Sequence, residues 1–298
     1  MKIEEIFNLD EYDLFAALME NTADSIYFKD RHCRIIRASR KMALTLGFSD
    51  PSQLIGKTDI ELFGEEFGKR TRVDDLRVME SGVSIVGLVE ENQNKNGEKN
   101  WTSTTKLPLR GPTGKIIGLM GITREINDLK QKETRLEYIA THDLLTALPN
   151  RYLFSDRLEQ ALRRAKRYQT SFAILYLDMD HFKNINDRYG HDAGDRFLKQ
   201  VSALLLEIVR DSDTVARLGG DEFAILIESI QDKEEACAIT ERIITGFERW
   251  AAAGVTASIG ISFYPHDGSD QPTLLKCADH AMYRAKEHTN TYRIFEHH

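Results

Sequence analysis

The stretch Ser171-Phe172-Ala173-Ile174-Leu175-Tyr176-Leu177 shows no polar–apolar alternation and runs straight into Asp178-Met179-Asp180. A strand with one wetted face alternates; a strand that does not is covered on both faces. Residues 171–177 therefore read as a central strand, and the surrounding chain must supply two layers of cover. Helical apolar spacing does so at 153–168, 193–209, 233–251 and 272–287. Residues 214–218 and 223–227 flank Gly219-Gly220 as a hairpin, and 255–263 and 292–295 give two more strands. The order α-β-α-α-β-β-α-β-α-β makes this half an α+β sandwich of antiparallel sheet and helices.

The first half has a different grain. Leu14, Ala17, Leu18 and Asn21 mark a short amphipathic helix, and 25–30 with 34–38 form a hairpin. Helices are expected around 40–46 and 74–81, then strands at 83–91, 99–109 and 115–123. Asn96-Gly97 and Pro112-Thr113-Gly114 are the turn signals between those strands. A five-stranded antiparallel sheet with helices on one side accounts for this order. Residues 125–141 are dense in charge and free of Gly and Pro, with Leu129 and Leu136 seven apart. They read as a connecting helix, and either a short parallel coiled coil or a solvated helix satisfies so brief a stripe. The expected domains are 1–126, the helix 127–141, and 142–298.

With 298 residues, of which 41% are hydrophobic and 29% charged, the chain has material for two cores. A net charge of -7 argues against bulk attraction to nucleic acid. Cys33, Cys237 and Cys277 are odd in number and lack CxxC spacing, which fits core filling in a reducing compartment. No run approaches ~18 apolar residues, so no membrane span is expected. Met1-Lys2-Ile3-Glu4-Glu5 lacks the apolar core of a signal peptide, and a cytoplasmic location is expected. Glu296-His297-His298 resembles the stump of a purification tag, and those histidines are set aside from the metal reading.

Chemistry concentrates at two places. Asp178 and Asp180 close the central strand, and Asp221 and Glu222 sit at the hairpin tip. If the hairpin pairs with the central strand, these carboxylates face each other at one sheet edge and repel unless a cation joins them. Mg²⁺ fits, because it combines a few carboxylates with substrate phosphates, and two such ions can clamp a phosphoryl displacement. Gly219 and Gly220 would let a phosphate or base approach the backbone. An ordinary acidic Gly-Gly surface turn satisfies the same residues taken alone. Asn186 and Asp195 form a second constellation: a carboxylate suits guanine N1–H and N2–H₂, and an amide suits its acceptors. Helix capping uses the same residue types.

Four blocks of the second half, together spanning 142–295, resemble the GGDEF family of diguanylate cyclases. They are Asp143-Leu144-Leu145-Thr146-Ala147-Leu148-Pro149-Asn150-Arg151, residues 178–195, Arg217-Leu218-Gly219-Gly220-Asp221-Glu222-Phe223, and Ala278-Asp279-His280-Ala281-Met282-Tyr283-Arg284-Ala285-Lys286. The resemblance implies an adenylyl-cyclase-like fold and condensation of two GTP to cyclic di-GMP and two pyrophosphates. Each subunit of a homodimer would hold one GTP. It implies that Asp178, the carbonyl of Met179, and Asp221 or Glu222 hold Mg²⁺ or Mn²⁺, two ions per site. Asp221 would also help deprotonate the 3′-hydroxyl, which makes Asp221 and Glu222 the candidate catalytic residues. Asn186 and Asp195 would read guanine. The backbone at His181 and Phe182, with Gly219, Gly220 and Lys286, would contact the nucleotide.

Arg210 and Asp213 match the family's product-inhibition site, and Arg suits guanine O6/N7 or phosphate. Two positions depart from the family pattern. Ala147 stands where Gly is usual, and Asn290 falls where a phosphate-binding Arg is expected, with Arg284 and Arg293 as possible substitutes. A catalytically silent receptor for GTP or cyclic di-GMP is the alternative function. A second, degradative domain is not expected within these 298 residues.

Residues 12–127 resemble a PAS sensor domain. The carriers are residues 24–30, Ile55-Gly56-Lys57-Thr58-Asp59, residues 101–109 and residues 118–126. The resemblance leaves two readings of what it senses: a small organic ligand, or none, with the domain serving dimerisation. Cys33 lies in the early hairpin rather than in the helix of a flavin-reactive cysteine, and His32 beside a turn suits haem poorly. Lys106, Arg72 and Trp101 read either as lining for a small anion or as solvated surface residues.

Overall fold

The computed structural model describes residues 10–93 and 99–297. The turn signal Asn96-Gly97, the segment Met1–Glu5 and His298 lie outside the described residues. The chain divides between Glu133 and Thr134 into two compact units.

In the first unit, α1 (Glu11–Asn21) leads to β1 (Ser25–Asp30), β2 (Ile35–Ala38), α2 (Arg40–Thr45), α3 (Asp59–Phe63) and α4 (Glu65–Ser81). Strands β3 (Ile85–Gln93), β4 (Lys99–Arg110) and β5 (Ile116–Glu125) follow. The five strands pair antiparallel throughout, as expected, in the order β2-β1-β5-β4-β3, which the sequence pattern left open. Two local expectations need correction. The helix expected from residue 74 begins at Glu65, directly after Gly64 at φ +87°, and α3 precedes it. In α1 the presumed core residues Leu14 and Leu18 are exposed, and Met19 is the buried one.

The apolar core of this unit gathers Cys33, Ile35, Met42, Leu54 and Leu119. Beside it lies a buried ionic network. Lys29 Nζ meets Asp59 Oδ2 at 2.5 Å and Asp75 Oδ2 at 2.6 Å, and Lys106 Nζ meets Asp75 Oδ1 at 2.6 Å. Lys106 also donates to the Thr71 carbonyl at 3.2 Å. Lys106 is therefore neither solvated nor free for an anion. Burial opposes the Lys29 ammonium, but Asp59 and Asp75 outweigh it and hold its pKa above the usual range.

Helix α5 (Asn127–Thr141) has no buried residue, and Leu129 and Leu136 are 62% and 66% exposed. The Asn127 side chain accepts from Trp101 N–H at 2.7 Å and donates to Asn100 Oδ1 at 2.8 Å, which fixes the helix start.

The second unit runs α6 (Arg151–Tyr168), β6 (Ser171–Asp180), α7 (Phe182–Tyr189), α8 (His191–Ile208), β7 (Thr214–Gly219), β8 (Glu222–Ile230), α9 (Lys233–Phe247), β9 (Thr256–Tyr264), α10 (Gln271–Ala285) and β10 (Thr291–Ile294). Its sheet order is β10-β9-β6-β8-β7, with β6 central. The strand is buried along all but its first residue, and its two faces serve different cores. Ala173, Leu175, Leu177 and Met179 pack with Leu198, Val201, Leu205 and Ile243. Phe172, Ile174 and Tyr176 pack with Phe154, Leu158, Leu274 and Ala278. The period of two along a strand sends alternate side chains to opposite layers.

Three expectations are corrected here. The sheet is not wholly antiparallel, because β10 pairs parallel to β9 after α10 crosses back over it. Strand β6 continues through Asp178 and Asp180 rather than stopping at Leu177. The helix expected to reach residue 251 ends at Phe247 and tightens to a 3₁₀ turn over Glu248–Ala253. Gly260 on β9 is required by packing, since a Cβ there would lie 2.0 Å from the Ala278 carbonyl oxygen of α10.

Candidate active site

Strand pairing brings the acidic residues together. Asp178 on β6 lies opposite Glu222 on β8, and Leu177 opposite Phe223. Between β7 and β8 the chain turns through Gly219 at φ +150° and Gly220 at φ +51°, and a Cβ at either would meet nothing within 4 Å. The turn therefore combines a backbone that favours glycine with open space where side chains would project.

A buttress that the sequence did not disclose holds this turn. Arg217 donates from Nε and Nη2 to the Gly220 carbonyl at 3.0 and 2.7 Å, and from Nη1 to Asp143 at 3.0 and 3.1 Å. The Arg217 N–H donates to the Pro149 carbonyl at 3.0 Å. Burial opposes the Asp143 carboxylate, but hydrogen bonds from Thr146 and Arg217 hold its pKa below the ordinary range. In this same segment Ala147 adopts φ +60°, a left-handed conformation that explains why glycine suits the position.

Asp178 is nearly enclosed, and Lys286 Nζ sits 2.8 Å from its Oδ2. Burial, with the charges of Asp221 and Asp180, nonetheless raises the Asp178 carboxyl above its usual range against the pull of Lys286. Burial opposes the Lys286 ammonium, yet the Asp178 hydrogen bond and charge hold it above the ordinary lysine range. Glu222 Oε2 accepts from Tyr176 Oη at 3.2 Å and Arg151 Nη2 at 3.4 Å.

Asp180 takes a different part from the one its place in the acidic cluster implied. It is buried, with Oδ2 accepting from Thr256 Oγ1 at 2.6 Å and from Asn290 N–H at 3.1 Å, and Oδ1 from Ser258 Oγ at 2.7 Å. Such a carboxylate is committed to its own chain. Met179 is 1% exposed, and its side chain packs in the core.

The side chains gathered here are carboxylates, and burial with Asp221 and Asp180 disfavours the Asp178 charge even with Lys286 beside it. Both features suit a hard divalent ion. Asp178, Asp221 and Glu222 are not drawn into a closed ligand set. Among the described residues the group that is drawn in, with ligand atoms all within 4.8 Å of one another, is His266, Asp267 and His297.

The remaining candidates fall into two groups. His181 adopts φ +62° and precedes α7, whose first turn presents backbone N–H groups at Phe182. Asn186 Oδ1 lies 2.0 Å from where a Cβ on Gly194 would stand, so α7 and α8 approach there only because residue 194 is glycine. Asp195 follows Gly194 and is exposed. Away from these, Asp213 is buried and accepts from the N–H groups of Arg210 at 3.0 Å and Glu228 at 3.2 Å. The Arg210 guanidinium is 62% exposed and meets Glu235 at 2.7 Å. Asn290 adopts φ +49°, and its buried Oδ1 has no hydrogen-bond partner.

A family profile described as "Diguanylate cyclase, GGDEF domain" matches residues 140–291, and one described as "PAS fold" matches residues 19–131. A "Bifunctional diguanylate cyclase/cyclic di-GMP phosphodiesterase MucR" of Pseudomonas aeruginosa is 42% identical over 174 residues, 56% of this chain and 25% of that protein. The chain thus spans about a quarter of that relative. A "Diguanylate cyclase" of Vibrio cholerae is 29% identical over 290 residues, 96% of this chain and 90% of that protein. The solved coiled coil and GGDEF domain of DgcB from Caulobacter crescentus, in complex with c-di-GMP, is 25% identical with a TM-score of 0.50. It covers 57% of this chain and 93% of that one. The chain belongs to the GGDEF family of diguanylate cyclases, with a PAS-fold domain ahead of its GGDEF domain.

Proposed function

We propose that the protein is a PAS-regulated diguanylate cyclase that condenses two GTP to cyclic di-GMP and two pyrophosphates in a cytoplasmic homodimer. The observation that carries this reading is the pairing of Asp178 with Glu222 at the sheet end that also bears the open Gly219-Gly220 turn. Asp178, the Met179 carbonyl, Asp221 and Glu222 would hold Mg²⁺ or Mn²⁺, two per site. Bound there, the ions would neutralise the phosphates and polarise the attacking and leaving oxygens.

The chain's own residues supply the rest. Arg217, fixed by Asp143, holds the Gly220 carbonyl and so sets where Asp221 and Glu222 project. Asp221 takes the proton of the 3′-hydroxyl. Asn186 and Asp195 read guanine, and the backbone at His181 and Phe182 with Lys286 meets the phosphates. Residues 1–126 sense, 127–141 transmit and 142–298 catalyse. Arg210 binds product, and the Asp213 carboxylate holds the turn that presents it. That the DgcB structure contains c-di-GMP supports product binding by a fold of this kind.

A second reading, a catalytically silent nucleotide receptor, draws its support from Asn290, which lacks the charge of the family's arginine. One assay separates the two. Incubation with GTP and Mg²⁺, followed by chromatography, should yield cyclic di-GMP. Glu222→Ala should abolish turnover, and Arg210→Ala should lose inhibition by added product. Nucleotide binding with no product at any protein concentration would establish the receptor instead.

A further inference from the structure

The loop after β9 and the segment after β10 bring three polar side chains together, well separated in sequence from the carboxylates of the proposed active site. Asp267 is 2% exposed and held firmly. Its N–H donates to the Phe263 carbonyl at 2.7 Å, and its Oδ2 accepts from Phe263 N–H at 2.7 Å. The buried Cys277 thiol donates to its carbonyl at 3.4 Å. These contacts leave Oδ1 to face two imidazoles: His266 Nδ1 is 2.5 Å away and His297 Nε2 is 3.4 Å away.

His297 invites dismissal as part of a terminal histidine pair, yet it has a defined seat. Phe295 N–H donates to the Ile261 carbonyl at 2.8 Å, which carries the chain past β10 along β9. The Phe295 ring then packs edge-on against His297 at 5.1 Å, and the His297 ring lies 5.5 Å from that of His266. His297 Nε2 also lies 3.3 Å from the His266 carbonyl.

We propose that His266, Asp267 and His297 bind a divalent transition-metal ion of the Zn²⁺, Ni²⁺ or Cu²⁺ class. Two imidazole nitrogens and one carboxylate oxygen are the donor set such ions prefer, whereas Mg²⁺ prefers oxygen alone. Tetrahedral bonds of about 2.0–2.1 Å place donors about 3.3 Å apart. The Asp267–His297 separation of 3.4 Å already meets this. His266 must retreat by about 1 Å, and its side chain is 57% exposed and free to do so. The backbone and thiol contacts on Asp267 are the outer support that a metal-binding carboxylate needs. Bound there, the ion ties the loop before α10 to the residues following β10. It thereby holds on the sheet a strand whose preceding residue, Asn290, donates to Asp180.

The test is calorimetric titration of the full chain with Zn²⁺, in excess Mg²⁺ so that the carboxylate site is occupied. A parallel titration with Co²⁺ reads the visible absorption of a four-coordinate site. One ion per chain is expected, with affinity lowered at least about tenfold in each of His266→Gln and His297→Gln. Both positions are exposed, and circular dichroism will verify that each variant is folded. Loss in His297→Gln with unchanged binding in His266→Gln would assign binding to the terminal histidines alone and overturn the proposal. Binding retained in both variants, or absent from the parent protein, would do the same.

Discussion

Asp178 is the residue at which stability and chemistry conflict. Its pKa is raised by burial and by neighbouring carboxylates, so the folded state holds its charge at a cost near neutral pH. The sign is that of a strained acid: protonation favours the folded form, and the penalty appears as pH rises through the usual carboxylate range. Asp178→Asn should therefore raise the melting temperature of metal-free protein by a few degrees while abolishing turnover. Calorimetry in a chelator checks this, and a lower melting temperature would mean that Lys286 already compensates the charge. The facing of Asp178 and Glu222 was legible because an uninterrupted apolar strand and a Gly-Gly hairpin have few ways to pair. The Arg217–Asp143 buttress was not legible. Its partners are 74 residues apart, and nothing local to either signals the other.

Among elements, the first unit's inner sheet face carries Lys29 and Lys106, and the helices over it supply Asp59 and Asp75. Asp75 bridges both lysines, so removing its charge leaves two buried ammonium groups short of a partner. Breaking one side of a buried ion pair costs about 3–5 kcal/mol, and Asp75→Asn should cost this unit a similar amount. Urea unfolding followed at Trp101, with Trp250 replaced by Phe, isolates the unit being read. A loss under about 1 kcal/mol would place the network among the weak surface type. Strand positions in this unit were legible from alternation and turn residues. The network was not, because Asp59 and Asp75 lie on short-range helical patterns whose partners are set by packing. The parallel pairing of β10 escaped for a related reason: four residues carry no direction until the preceding helix is docked.

At the scale of the whole molecule, the proposed reaction sets a requirement that one chain cannot meet. Each chain has one Gly219–Phe223 turn, while the product joins two nucleotides by mutual attack. In that reading two copies would present their turns to each other. The stripe on α5, with Leu129 and Leu136 bare, is the apolar surface whose spacing suits a second helix. Leu129→Glu combined with Leu136→Glu should give a monomer in sedimentation and lose turnover at low protein concentration. Unchanged sedimentation and turnover would locate the dimer contact elsewhere.

The contact between Lys286 and Asp178 has one more consequence. In the proposed reaction the lysine is wanted by the nucleotide's phosphates and the aspartate by a metal, yet at rest each occupies the other. Loading the site is then an exchange of partners. Phosphate that draws off the ammonium frees the carboxylate for the incoming cation, and the cation that arrives leaves the ammonium nowhere better to go. The two ligands would help each other in, so the site would discriminate against either one arriving alone.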